Sequence, residues 1–363
     1  MPSIDEARQH LGQLIMTGFT GLDLSDDAAA FISQADIGGV ILFAANYESP
    51  AQLGELTNAI QECRGDLPLW IAADHEGGRV QRFKKPFTRI PSAAVIGKSD
   101  SPKMAFDFAD GISKELKAVG VNVNFAPVAD IMTNAKNPVI GDRAFGDNEE
   151  IVSKMVTGFV RGHLVNSVQS CVKHFPGHGD TSIDSHLALP KVDTDLETLR
   201  SREFRPFVRA FKSRCSMVMT AHILNSKIDP DFPATLSVKT IQDILRKDLR
   251  FSKVVFTDDM EMKAITDHYG ADHAPVLAVQ AGCDILVYRT EAGARHAYEV
   301  LIKALETGKV TPERVMESVE RITLLKKEFL LPYAPVSVSE VTAQIGLQLT
   351  QELADKFESM ARR

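Results

Sequence analysis

The sequence predicts an α/β chain folded as a TIM-type (β/α)8-like barrel, with room for one irregular strand–helix unit. Three observations point there. Short, nearly all-apolar runs alternate with longer amphipathic stretches along most of the chain, the pattern of parallel strands covered on both faces. Polar residues gather just after those runs: Asp74 and Glu76, Asp130, Lys173 and His174, His222, then Asp258 and Asp259. Barrels of this kind build their sites at the C-terminal ends of their strands, whereas a dinucleotide-binding sheet carries a glycine fingerprint after its first strand. Gly38-Gly39 precedes a run instead of following one, so that fingerprint is missing.

The apolar runs, in order, cover residues 39–43, 68–73, 121–126, 169–172, 217–221, 254–257 and 285–288. They are short, bounded by turn residues, and read as buried strands. Helices are expected between them. Residues 51–63 follow Ser49-Pro50, a start signal, and residues 103–119 stop at Gly120, which suits a C-cap. Over 149–164, Ile151, Met155, Val156, Phe159, Val160 and Leu164 share one face. Further helices are expected over 195–212, 238–250, 274–280, 292–307 and 311–325. After Pro332 and Pro335 the pattern changes. Val341, Ile345, Leu349, Leu353 and Phe357 recur every fourth residue, predicting a last helix packed back on the body. The expected division is a catalytic barrel over 1–335 and a helical tail over 336–363.

Hydrophobic residues make up 44% and charged residues 25%, which supports a sizeable core and excludes global disorder. The 41 basic and 48 acidic side chains leave a net charge of −7, which argues against a nucleic-acid binder. No apolar run reaches membrane-helix length, so no membrane insertion is expected. The first residues carry Asp5, Glu6, Arg8 and His10 and no apolar export core. The expected location is therefore cytoplasmic. Cys63, Cys171, Cys215 and Cys283 are scattered and read as reduced thiols rather than a disulfide framework.

Three stretches are too polar and glycine-rich for core. In Asp74-His75-Glu76-Gly77-Gly78-Arg79, glycine lets the backbone pass close to a ligand, and Asp74 can accept hydrogen bonds from sugar hydroxyls. The bland alternative is an ion pair between Asp74 and Arg79. In Lys173-His174-Phe175-Pro176-Gly177-His178-Gly179-Asp180 through Asp184 and His186, imidazoles cluster. Their spacing does not match HExxH, and Phe-Pro-Gly breaks any helix that would align them, so no metal is expected. Asp184 and His186 read as a pair in which a carboxylate orients an imidazole for proton transfer. The plainer reading has these histidines satisfying loop carbonyls. In Phe256-Thr257-Asp258-Asp259-Met260, Asp258 at a strand end can attack an electrophilic carbon, hold a metal or cap a helix. No Gly-x-Ser-x-Gly elbow is present, which disfavours a serine nucleophile.

Together with 124–130, the Asn137-Pro138-Val139-Ile140-Gly141-Asp142-Arg143 stretch, Thr220-Ala221-His222-Ile223 and Pro233-Ala234-Thr235-Leu236-Ser237, these motifs stand in the order of a known family. The sequence resembles glycoside hydrolase family 3, in particular its compact single-barrel β-N-acetylhexosaminidases of the NagZ type. It departs at His75, where glutamine is common, and in reading Asp-Asp-Met-Glu-Met after Thr257. The resemblance implies Asp258 as nucleophile and His186, oriented by Asp184, as general acid/base. It implies sugar contacts from Asp74, Arg143, Lys173 and His174, with His178 and His222 beside them, and no cofactor. The implied activity is removal of terminal β-linked N-acetylglucosamine with retention, from muropeptide-type saccharides of cell-wall recycling, by a monomer. A family 3 β-glucosidase, a broad exo-glycosidase, a phosphorylase, a metal hydrolase and a non-enzymatic sugar-binding barrel are the competing readings.

Overall fold

The computed structural model describes residues 1–181 and 188–362. Eight parallel strands close a barrel: β1 (Ile15–Thr17), β2 (Gly39–Leu42), β3 (Trp70–Ala73), β4 (Val123–Asn124), β5 (Gln169–Phe175), β6 (Met217–Thr220), β7 (Val254–Asp259) and β8 (Ile285–Tyr288). Each strand pairs with its successor, and β8 closes on β1 through Ile15↔Leu286, Met16↔Val287 and Thr17↔Tyr288. The expected fold is therefore the observed one. The strand that the apolar runs did not reveal is β1, only three residues long.

The helices that follow the strands are α1 (Asp26–Gln34), α2 (Pro50–Glu62), α3 (Pro102–Ala118), α4 (Glu149–Leu164), α5 (Phe204–Lys212), α6 (Lys239–Asp248), α7 (Ala274–Ala281) and α8 (Glu291–Glu306). Hydroxyl or amide caps start many of them. Ser49, Ser101 and Asn148 each accept a backbone N–H of the first turn, and proline follows the first two. The single helix expected over 195–212 is broken: Leu196–Ser201 stops at Arg202, and α5 restarts after Glu203. The helix α6 has the wider i→i+5 bonding of a π-helix. Six helix-to-strand turns, all at the N-terminal end of the barrel, carry a positive-φ residue: Asp36, Gly120, Ser167, Arg214, Arg250 and Gly282.

The barrel interior holds Met16, Ile41, Trp70, Val123, Phe125, Met217, Phe256, Ile285 and Val287. A further helix, α9 (Pro312–Phe329), closes its floor with Ile322 and Leu325. On the same helix Lys326 is fully buried and donates to Gln13 Oε1 at 2.8 Å. Beside the floor, the buried Asp284 carboxylate takes Arg246, Arg321, Ser318 and the Val255 amide. Outside the strands a second apolar layer packs against the helices.

The C-terminal segment departs from the expected continuous helix. Gly346, at φ +68°, separates a short turn at Val338–Val341 from α10 (Gln348–Ala361). Thr350, Ala354 and Phe357 face inward, while Leu349 is 81% exposed and so is no part of the packed face. Phe357 meets Phe108 of α3 edge-on at 5.3 Å.

Candidate active site

The strand ends of one barrel face carry the charged groups. Asp74 follows β3, and a hairpin of His75–Gly77 and Val80–Gln81 rises behind it. Gly77 is fixed there by a φ of +111° and by Ile90 and Pro91, which leave no room for a Cβ. Lys173 and His174 end β5, Asp258 and Asp259 end β7, and Arg143 comes from the turn Gly141–Arg143 before α4.

Lys173 is the centre of the site. It is 2% exposed, and its Nζ lies 2.7 Å from Asp74 Oδ1 and 2.6 Å from Glu76 Oε1. Burial works against its charge, but the two carboxylates outweigh burial and raise its proton affinity. Arg143 holds Glu76 through both Nε and Nη2 at 2.8 Å. Burial works against the Glu76 charge, but Arg143 and Lys173 pull its carboxyl down to about 2. Arg82 closes the far side with an Nη2 bond to Asp74 Oδ2 at 2.8 Å, and its guanidinium lies over the Phe43 ring. Asp74 is likewise kept ionised, its burial being overcome by Lys173 and Arg82. The expected alternative of an Asp74–Arg79 pair does not form; Arg79 pairs with Asp142.

His174 Nδ1 sits 2.6 Å from Asp130 Oδ2, and its Nε2 faces Arg143 at 3.4 Å. Asp130, completely enclosed, also accepts the His178 backbone N–H at 2.7 Å. His178 is 2% exposed and its Nδ1 contacts Thr181 Oγ1 at 2.7 Å; burial and His174 depress its basicity to about 4. Asn137 adds bonds to the carbonyls of His178 and Gly179 and to Thr181 Oγ1. Arg202 grips Asp180 from outside and donates to Glu203 Oε1 at 2.6 Å. The described part of the glycine-rich stretch, residues 173 to 181, is thus firmly pinned.

Asp258 accepts the Asp259 backbone N–H at 2.8 Å. Burial opposes its charge, but His174, His222, that N–H and Lys173 together hold the carboxyl below its ordinary range. It is an anion at neutral pH, as a nucleophile requires. Its neighbour Asp259 is pushed up to about 6 by burial. His222 is 1% exposed, with Nδ1 at 2.8 Å from Thr235 Oγ1 and Nε2 at 3.0 Å from the Asp259 carbonyl. Both ring nitrogens thus engage the protein, and His222 braces the backbone that presents Asp258.

Asp74, Arg143, Lys173, His174, His178, His222 and Asp258 are brought to one end of the barrel. Asp184 and His186 lie outside the described residues. Among the described residues, no three His, Cys, Asp or Glu side chains group as a metal site, and no helix is long and apolar enough to cross a membrane. Sequence reasoning passed over Glu76, Asp130 and Arg82 as site residues. Glu76 and Asp130 stand in the quoted motifs and Arg82 just beyond one, but only their partners in space reveal what they do.

The profile of the glycosyl hydrolase family 3 N-terminal domain matches residues 6–325. Beta-hexosaminidase A of Pseudoalteromonas piscicida is 36% identical over 350 residues; the match takes 89% of this chain but 58% of that longer protein. The family 3 β-N-acetylglucosaminidase of Paenibacillus sp. str. FPU-7 superposes with a TM-score of 0.91 at 37% identity, covering 98% of this chain and 68% of that one. NagZ from Neisseria gonorrhoeae, solved in complex with N-trifluoroacetyl-D-glucosamine, gives 0.79 at 30% identity over 96% of this chain and 98% of its own. The chain belongs to glycosyl hydrolase family 3, in its NagZ-type β-N-acetylhexosaminidase branch.

Proposed function

We propose that this chain is a retaining, exo-acting β-N-acetylglucosaminidase in which Asp258 is the nucleophile, His186 the acid/base and Asp184 its orienter. The observation that carries the reading is the Asp258 carboxylate at the end of β7, on the same barrel face as the Asp74–Lys173–Glu76–Arg143 cluster, with His174, His222 and Lys173 favouring its charge. A glycosidic bond breaks through an oxocarbenium-like transition state, which needs negative charge beneath the anomeric carbon and a proton for the leaving oxygen. Asp258 supplies the charge and then the covalent bond. His186 gives its proton to the leaving oxygen, then takes one from the water that releases the sugar. Two inversions at the same carbon return the β-configuration.

Asp74, Arg82 and Lys173 offer acceptor and donors to the sugar hydroxyls. Because Asp74 is already held by Lys173 and Arg82, and Lys173 in turn by the Glu76 that Arg143 grips, these charges need no rearrangement when the sugar arrives. His174 and His178 stand behind them on Asp130. The expected substrates are N-acetylglucosaminyl-1,6-anhydromuramic acid and its peptide-bearing forms, within cell-wall recycling. Relatives named as β-hexosaminidases support the sugar half of this reading.

The test is a panel of para-nitrophenyl β-glycosides, with product configuration followed by NMR. N-acetylglucosaminide should be cleaved with release of the β-anomer first. Faster turnover of glucoside or xyloside, or release of the α-anomer, would overturn the reading.

A further inference from the structure

We propose that the C-terminal tail beyond the family domain is a strut for the sugar-binding hairpin, and that Glu115 is the positioning residue joining the two. The family profile ends at residue 325. Beyond it, the chain returns across the barrel wall. Val336 exchanges two hydrogen bonds with the Asn58 side chain of α2. Phe357 packs on Phe108, and Gly111 of α3 is opened to a bare backbone where Thr350 sits. Lys98 donates to the Ala361 carbonyl. The tail is therefore docked along its length, and its bend falls at Gly346.

That bend meets Glu115. The side chain projects from α3 and is 2% exposed. Its Oε1 accepts the Gly346 N–H at 3.2 Å and the Thr88 hydroxyl, while Oε2 accepts the Thr88 N–H at 2.9 Å. Thr88 lies on the loop that follows the hairpin strand Val80–Gln81. Its carbonyl accepts Gln81 Nε2 at 2.8 Å, and Gln81 Oε1 accepts the Ile90 N–H at 3.0 Å. The next residue is Arg82, which holds Asp74. A continuous line of bonds thus runs from the tail through Glu115, Thr88 and Gln81 to the group that aligns Asp74. Tail and loop also touch directly, for a Cβ on Gly346 would lie 2.6 Å from the Pro86 carbonyl oxygen.

Packing alone does not explain this carboxyl. Among the described residues no cation pairs with it, and burial raises its proton affinity. A buried acid without a counter-ion costs stability that an apolar or amide side chain would not. Glu115 has the one property the junction uses: two acceptor oxygens that serve donors from the tail and the loop at once. In Glu115→Gln the NH2 group must face either the Thr88 N–H or the Gly346 N–H, so one of the three bonds is lost and the junction is loosened.

The inference rests on the reading that Asp74 and Arg82 face the sugar. Its test uses the full chain and para-nitrophenyl N-acetyl-β-D-glucosaminide. Glu115→Gln should speed hydrogen exchange over residues 79–90 by about tenfold or more, leaving β5 to β7 unchanged. It should raise KM by roughly five- to tenfold while kcat stays within about twofold. In an Arg82→Ala background the KM effect of Glu115→Gln should vanish, since the line then ends on nothing. Gly346→Ala, whose Cβ would strain the bend at φ +68° and press on the Pro86 carbonyl, should act in the same direction and serves if Glu115→Gln does not fold. Unchanged exchange over 79–90 overturns the strut whether or not the wild type turns over. A KM shift of equal size with and without Arg82 reduces Glu115 to a packing residue. Wild type inactive on this substrate would sink the functional reading instead, while the exchange result still decides the strut.

Discussion

Lys326→Met should stabilise this protein at neutral pH and destabilise it in alkali. Lys326 lies on the barrel floor, fully buried, with Gln13 Oε1 as its hydrogen-bond partner. Burial drops its pKa from 10.5 to about 7, only partly offset by Asp36. At ~1.4 kcal/mol per pH unit, that fall corresponds to about 5 kcal/mol. The sign follows from which state binds the proton. Above pH ~10.5 the amine is neutral folded and unfolded, and there is no penalty. As pH falls from there, the unfolded chain takes up the proton first, so stability drops until about pH 7. Below that both states are charged and the full penalty stays. Methionine removes the penalty but leaves Gln13 Oε1 unmet, a loss of about 1–3 kcal/mol. The net effect is a gain of roughly 1–3 kcal/mol at pH 7 and a loss of up to about 2 kcal/mol near pH 10. Denaturant unfolding reads this directly, because Trp70, the single tryptophan, is buried in the barrel interior. A difference between variant and wild type that stays constant from pH 7 to 10 would refute a buried, low-affinity amine.

Asp258→Asn should cut kcat by about 10³-fold or more with little change in melting temperature; near-normal turnover by a clean preparation removes it as nucleophile. His186→Ala should slow cleavage of a natural disaccharide far more than that of an aryl glycoside, and azide should rescue the aryl reaction as the β-glycosyl azide. Equal losses on both substrates without azide rescue would move the acid/base role elsewhere. Glu76→Gln leaves Lys173 and Arg143 sharing too little negative charge, and should cost about 3 kcal/mol of stability along with at least ~10-fold in kcat/KM. Unchanged melting and kinetics would show that Asp74 and Asp130 suffice. Ser167→Gly, at φ +61° on an exposed turn, should raise stability by about 0.5–1 kcal/mol in the same unfolding assay; a loss would mean the serine is not strained there.

Most of the barrel was legible because a strand buried on both faces must be apolar almost throughout, and runs such as 254–257 and 285–288 are too short for a buried helix and recur between amphipathic stretches. The first strand escaped because Ile15–Thr17 is too short to stand out from its apolar surroundings. The break at Arg202 escaped for a different reason. Apolar periodicity continues through Leu199, Phe204 and Phe207, while the interruption is imposed by Arg202 reaching back to Asp180. The tail misled for a third: a spacing of four looked like one helix, but Gly346 bends the chain to reach Glu115 and leaves Leu349 in solvent. In the site, side chains whose chemistry is visible in isolation, such as Asp258 and Lys173, could be picked from the motif. Glu76 and Asp130 could not, because their part is defined by what they meet in space: Arg143 and Lys173 for Glu76, the His174 ring and the His178 backbone N–H for Asp130.

That sharing of charges has a consequence for how such a site changes over time. Lys173 answers to two carboxylates, Glu76 to two cations, and Asp130 to two histidines. No member can be exchanged alone without stranding a buried charge, so single-step drift through the network is closed. Variation is channelled to the rim, where Phe43 is half-buried and Arg289 is exposed. A lineage, or an engineer, seeking a new leaving group would find its freedom there and meet a frozen floor below.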